Sequence, residues 1–486
     1  MLFNSIEFLI FFPIVTGLFF IIPNRFRYIW LLISSYYFYM SWNPKYAILI
    51  ALSTVITFSS GLLLENVKKD IIRKTVLVCS LVSNLAILVI FKYTNFILQT
   101  LSNVSQHLGL SVIEQRLDLL LPVGISFYTF QALSYTLDVY NKHIKAEKNI
   151  FKYALFVSFF PQLVAGPIER SGNLLNQIQN IRYMKLWNYE RIRDGLLLMF
   201  WGFFQKLVIA DRASILVNQV YNNYSKYGFL ELSVASFLFA FQIYCDFGGY
   251  TNIARGAAQV MGFSLMQNFR QPYLAVNIKD FWRRWHISLT SWFTDYLYIP
   301  LGGNRNGKFR KYINILLVFS ISGLWHGANW NFVIWGILHA VYQIIGDIKI
   351  EVAKKRNTDA PKTSFSQRLG KRIITFFLVD IAWIFFASND LKHSFNILRQ
   401  MLSALQTTSL YEIGLDRGNW FMLCLGITIL FIVDLIHERK QSVFYLISQQ
   451  TIWFRWTLYL GLIWCVIMFG IYGVGYDASQ FIYFQF

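Results

Sequence analysis

The amino-acid sequence predicts an all-α, polytopic membrane protein, and three observations predict it. Only 14% of its 486 residues are charged while 56% are hydrophobic, against roughly 25% charged in an ordinary soluble domain. So few charges cannot coat the surface of a chain this long. Second, apolar runs able to cross about 30 Å of hydrocarbon recur along it. Third, the basic residues gather in short clusters between those runs, as cytoplasmic loops require. Lys and Arg outnumber Asp and Glu by 44 to 25, which in a soluble protein would point to nucleic acid. Their placement excludes nucleic acid and suits lipid head groups or a phosphorylated substrate.

The runs begin near Ile6, Tyr28, Tyr46, Thr75, Leu119, Phe151, Gly195, Leu232, Tyr312, Phe332, Ile373, Trp420 and Trp453. The first, from about Ile6 to Ile22, has no basic residue before it and no small-residue cleavage signature after it, so it reads as an uncleaved span. The stretch Phe151 to Ile168 contains Pro161, Gly166 and Pro167. These free backbone groups that lipid cannot satisfy, so this piece is expected to be re-entrant or buried among other helices. The count is about 11 true spans plus buried partial ones. Arg25 and Arg27 follow the first span, and Lys68, Lys69, Arg73 and Lys74 follow the third, which places the N-terminus outside. The segment Lys349 to Arg372 is the most linker-like piece, a basic cytoplasmic loop with Asn357, Thr358, Pro361, Thr363 and Ser364. No repeat of fixed period and no matching pair of broken helices is evident, so residues 1–486 read as one membrane domain. The four cysteines, in or beside apolar stretches, form no CxxC pair, and neither a disulfide framework nor a metal site is expected.

Chemistry concentrates between Gln242 and Trp335. Asp246, in QIYCDFGGYTNIARG, precedes Gly248 and Gly249, where backbone can approach closely. A carboxylate in an apolar run either lines a polar site or is satisfied at a helix end, and both readings stay open. Next comes QPYLAVNIKDFWRRWHISLTSWFTDYLYIPLGGNRNGK, an interfacial mixture of Trp, Arg, His and Asp. Arg283 and Arg284, beside Trp282 and Trp285, could hold phosphates of a cytoplasmic donor through forked hydrogen bonds and stacking. Equally they could snorkel to head groups within an aromatic belt. The tract Ile313 to Ile345 is nearly all apolar except for a polar centre at His326, with Trp325, Gly327, Asn329 and Asn331. It is expected to form two short spans or one broken span, with the break at the histidine. An imidazole at such a break is placed to act as a general base, or to donate one hydrogen bond between helices. His339 sits on an otherwise apolar helix and reads as a helix-to-helix bond. Neither a nucleophile elbow nor a phosphate loop is present, so an activated donor must be supplied.

The strings WRRWHISLTSWFTDYLYIPLGG and GLWHGANWNFVIWGILH resemble the signature of the membrane-bound O-acyltransferase family. SSYYFYMSW, GISFYTFQALSYTLDVY, FFPQLVAGPIER, QIYCDFGGY and FIYFQF are similar to its bacterial alginate O-acetylation branch. The resemblance implies helices around a funnel or tunnel in which acyl donor and acceptor meet from opposite faces. It implies that His326 is the active-site histidine of the WHG motif and that His286 is the second family histidine. The departures are Gly248 in place of the usual serine and Asn252 where aspartate is common. The implied reaction passes an acyl group, acetyl from acetyl-CoA, across a bacterial inner membrane for O-acetylation of an extracytoplasmic polysaccharide. Asn329 or a backbone donor would stabilise the oxyanion, an SGNH-hydrolase-type partner would receive the group, and no cofactor stays bound. D-alanyl transfer to teichoic acid, and a transporter or export channel without chemistry, are the alternatives.

Overall fold

Every regular element of the computed structural model is helical, and no strand occurs among the described residues, which are 1–486 without 110–116, 118–120, 356–363, 405–408, 473–480 and 482–486. This is what a bilayer demands, since a helix satisfies its backbone hydrogen bonds internally. Six helices among the described residues are long and apolar enough to span: Pro44–Asn66, Asp70–Lys92, Phe229–Met261, Trp330–Ala353, Arg417–Glu438 and Ile452–Phe469. Ile6–Ile21 is a shorter apolar helix. Two further long helices carry charge in their first turns. Gly307–His326 begins with Lys308, Arg310 and Lys311, and Phe365–Ala387 with Arg368, Lys371 and Arg372. The protein is therefore polytopic and all-α.

The chain divides into two compact units, Met1–Leu196 with Ala254–Met266, and Leu197–Ile253 with Gln267–Phe486. In the first, Phe8, Phe11, Phe38 and Phe160 form an aromatic cluster. Several of the polar groups inside it are paired, as burial away from water favours. The Tyr153 hydroxyl donates to Thr57 Oγ1 at 2.7 Å, and Gln131 Nε2 donates to the Phe156 carbonyl at 2.6 Å. The stretch Phe151 to Ile168 breaks, as its prolines require, into Ile150–Ser158 and the single turn Phe160–Leu163, and residues 153–168 are buried. The start of the run expected from Leu119 lies largely outside the described residues; its visible helix is Ile125–Tyr140.

The second unit is organised by a helical hairpin. The long apolar tract forms Gly307–His326 and Trp330–Lys355, broken at Gly327, Ala328 and Asn329. The helices touch through Gly323, where an added Cβ would fall 2.2 Å from the Phe332 carbonyl oxygen. Small residues permit such approach, and backbone packing then replaces the hydrophobic drive that lipid removes. The stretch Lys349 to Arg372 is less of a loop than its composition indicates. Residues up to Lys355 complete one helix, and Phe365 opens the next behind the capping box of Ser364 and Gln367. Charged residues with good helix propensity extend helices beyond the apolar part. Asn357, Thr358, Pro361 and Thr363, and the terminal string after Phe481, lie outside the described residues.

Candidate active site

His326 is the last residue of its helix and is only 3% exposed. Trp325, Trp335 and Phe386 surround its ring at centroid distances of 5.0, 5.1 and 5.4 Å, all edge-on. Edge-on packing is a favoured arrangement of aromatic rings, so these neighbours stabilise the imidazole in this orientation. His286 is fully buried, with its ring centroid 6.2 Å from that of His326 and 4.7 Å from Phe247. Two histidines 40 residues apart in sequence thus share one aromatic chamber. His286 has a left-handed backbone, φ 43° and ψ 52°, disfavoured for any residue with a Cβ. His339 lies two turns beyond Trp335's neighbour Asn331 on the same helix face, and its Nδ1 accepts a hydrogen bond from Trp282 Nε1 at 3.3 Å. That is the interhelical role expected of it.

Two cavities of the second unit approach this chamber. The first, about 450 Å³, is lined by Lys279, Trp282, Lys311, Phe319 and Ser322, with Gln343 and Asp347 on the facing helix. Lys311, Ile315, Phe319, Ser322 and His326 recur at three- and four-residue steps, so one helix face carries both the cavity wall and the histidine. Ser322 is one turn before His326. The second cavity, about 370 Å³, starts on the other side of the helix end with Gly327, Ala328 and Asn329, and adds Asn218, Tyr221, Gln242, Asn389 and His393. Gln242 is 9% exposed and its Oε1 has no hydrogen-bond partner among the described residues.

Of the remaining expected site residues, Asn329 lines a cavity, and Asp246, Arg283 and Arg284 are not among the described lining residues of either. Asp246 pairs with Lys206 at 2.7 Å, and Lys206 also holds Asp211 at 2.8 Å, all three nearly inaccessible. Asp246 lies inside the helix Phe229–Met261 and not at a helix end, and its surroundings are a buried ion pair that neither of the two open readings specified. Gly249 makes the close approach expected of it, since a Cβ there would lie 2.7 Å from the Gly202 carbonyl oxygen. Arg284 is committed to carboxylates: Nη1 meets Glu438 at 2.6 Å and Nε meets Asp280 at 3.0 Å, while Arg372 shares Glu438 at 3.1 Å. Burial opposes its charge, but the bonds to Glu438 and Asp280 outweigh that and hold its pKa above the ordinary value. Arg283 is exposed. Neither arginine lines either cavity among the described residues, whereas Lys279 and Lys311 line the first. Asn329 lines the second, and its amide braces the turn, donating to the Asn389 carbonyl at 3.0 Å and accepting from the Trp330 N–H at 2.7 Å. The lysines and Gln242 were missed because cavity walls are assembled from residues distant in sequence; for Lys311 the signal was its register with His326.

Residues 141–364 match the membrane-bound O-acyltransferase family. The chain is 36% identical over 433 residues to "Probable alginate O-acetylase AlgI" of Pseudomonas aeruginosa, covering 88% of this chain and 80% of that protein. It is 33% identical to a peptidoglycan O-acetyltransferase of Helicobacter pylori, over 81% of this chain and 76% of the relative. To a teichoic acid D-alanyltransferase of Bacillus subtilis it is 28% identical, over 56% and 70% respectively. With a helical membrane fold and a buried histidine pair at a helix break, the chain belongs to the membrane-bound O-acyltransferase family and is an O-acyltransferase.

Proposed function

We propose that the protein transfers an acetyl group from a cytoplasmic thioester, acetyl-CoA, to a hydroxyl presented from the outer face, for O-acetylation of an envelope polysaccharide. The observation that carries this reading is the place of His326, the final residue of a helix face that lines one cavity and the residue before the turn that lines the other. The lysine-bearing cavity would take the donor, its phosphates near Lys279 and its thioester toward Ser322, with Lys311 of the same wall held by Asp347 at 2.5 Å. The cavity of neutral polar groups would take the acceptor hydroxyl. His326 removes the hydroxyl proton, the oxygen attacks the thioester carbonyl, the C–S bond breaks, and the thiolate leaves with the proton returned by the imidazolium. Backbone N–H groups at the helix break, or Asn329, are the oxyanion donors.

Two relatives are named for O-acetylation of alginate and of peptidoglycan, which favours acetyl over the D-alanyl group named for the more distant ones. An SGNH-hydrolase-type partner outside the membrane would carry the group onward to the polymer. The deciding experiment incubates the purified protein with labelled acetyl-CoA, with and without such a partner. Label on the partner or polymer supports the reading, and label that moves only from a D-alanyl carrier protein replaces it with the alternative. Orientation in a bacterial inner membrane, N-terminus outside, is tested by cysteines beside Lys69 and Lys355. Their reaction with an impermeant reagent in intact cells would reverse it.

A further inference from the structure

We infer that Asn268 is a positioning residue for the histidine pair, holding His286 in the backbone conformation that sets its ring beside His326; this rests on the acyl-transfer reading above. The first observation is the left-handed φ of 43° at His286. A side chain with a Cβ keeps such a conformation only where its surroundings impose it, and imposed strain gathers at functional sites.

The second observation is what imposes it. Asn268 is fully buried and takes both backbone N–H groups that follow His286. Its carbonyl oxygen accepts from the Ile287 N–H at 2.9 Å, and its side-chain Oδ1 accepts from the Ser288 N–H at 3.2 Å. A backbone N–H can only donate, so the amide oxygen must be the atom facing Ser288. These two amides open the short helix Ile287–Phe293, where the first N–H groups have no partner within the helix. Upstream, the Arg270 N–H donates to the Arg284 carbonyl at 2.9 Å, so residues 268–270 flank the histidine on both sides along the chain. Within this frame the His286 ring lies 4.7 Å from Phe247, 6.1 Å from Trp325 and 6.2 Å from His326. Asn268 touches neither histidine ring by these bonds, and it acts through the backbone of the turn. A residue that grips two consecutive amides needs its own carbonyl and a short side chain ending in an acceptor, which asparagine supplies.

The test uses the full-length protein in detergent and the variants Asn268→Ala, which removes the Oδ1 acceptor, and Asn268→Ser, which keeps an acceptor of shorter reach. Because misplacing a catalytic group by about 1 Å can cost about 10²-fold in rate, Asn268→Ala should lower kcat about 30- to 100-fold with the donor KM unchanged. Asn268→Ser should fall between it and the wild type, about 3- to 10-fold down, again with KM unchanged. Wild-type kcat in the folded alanine variant overturns the proposal, as does a loss in which donor KM rises with falling kcat. If Asn268→Ala does not fold, the serine variant decides by the same split. An independent readout is the histidine-selective ¹⁵N spectrum, with the His286 signal assigned by its loss in His286→Ala. Movement of that signal in Asn268→Ser supports the proposal, and its constancy overturns it. Should the wild type transfer no acyl group, the reading of function fails while the spectrum still decides the role of Asn268.

Discussion

The two cavities that flank His326 are lined by different chemistry. One carries Lys279 and an ion pair of Lys311 with Asp347 at 2.5 Å, in a wall that includes Trp282, Leu289, Phe293, Ile315 and Phe319 beside polar groups such as Thr290, Ser322 and Gln343. The other offers Asn218, Asn222, Gln242, Asn329, Ser388 and Asn389, with no acid or lysine among its described lining residues. A largely aromatic and aliphatic wall with the ammonium of Lys279 at its edge suits a ligand with a slender apolar arm and an anionic head. A wall of amides and hydroxyls suits a neutral ligand rich in hydroxyls, since each group can both orient and release it without the cost of burying a charge. On the proposed reading, a histidine at a helix end would serve two ligands of opposite character, with one wall before it in the chain and the other after.

The largest expected effect comes from the shared element. His326→Ala should lower transfer by about 10² to 10⁴-fold, the usual contribution of a general base, while leaving donor binding in the lysine-bearing cavity intact. Equal loss of donor affinity would make the histidine part of the binding wall. Next in size is a change outside both cavities. Lys206→Met leaves Asp211 and Asp246 buried without their shared cation, and breaking a buried pair typically costs about 3 to 5 kcal/mol. The melting temperature should fall accordingly, with both ligands bound normally by the protein that folds. Altered ligand affinity in that folded fraction would bring Asp246 into the site after all.

Smaller again is the donor wall. If Lys279 holds a phosphate of the donor as proposed, Lys279→Gln should weaken acetyl-CoA binding by about tenfold, an effect that shrinks with added salt. Arg284→Gln provides the contrast. It should cost stability, because Glu438 then loses one of the two arginines that it pairs with among the described residues, and leave donor affinity unchanged. The reverse result, weakened binding with Arg284→Gln and unchanged binding with Lys279→Gln, would return the phosphates to the arginine pair.

Much of this site was legible because bilayer physics leaves few choices. A 33-residue apolar tract with a polar centre must break, and it breaks at His326 as read. The partner of an arginine is another matter. Arg283 and Arg284 stand side by side between tryptophans, and nothing local distinguishes them, yet Arg284 is engaged by Glu438, 154 positions away, while Arg283 is exposed. The ion pair at Asp246 has the same origin, since Lys206 lies 40 residues earlier in a segment that reads as an ordinary apolar run. His286 entered through family resemblance, and its left-handed backbone has no signature in the local residues, because Asn268 imposes it from a distance.

The smallest expected effect tests the polar wall. Gln242 belongs to a long apolar helix, Phe229–Met261, where an amide is costly unless it is used. Its Oε1 is buried with no partner among the described residues, and the side chain lines the cavity that begins at Gly327. A hydroxyl entering from that side could donate to it, exchanging an unsatisfied acceptor for a bonded one. A neutral hydrogen bond contributes about 0.5 to 1.5 kcal/mol, so Gln242→Leu should raise the acceptor KM about two- to tenfold. Donor affinity should not change, because none of the donor wall is touched. The leucine also removes the buried amide, so stability should hold or rise, which separates lost recognition from lost folding. A shift in donor affinity with the acceptor KM constant would show that the two walls serve the opposite ligands, and the assignment of chemistry to each cavity would have to be exchanged.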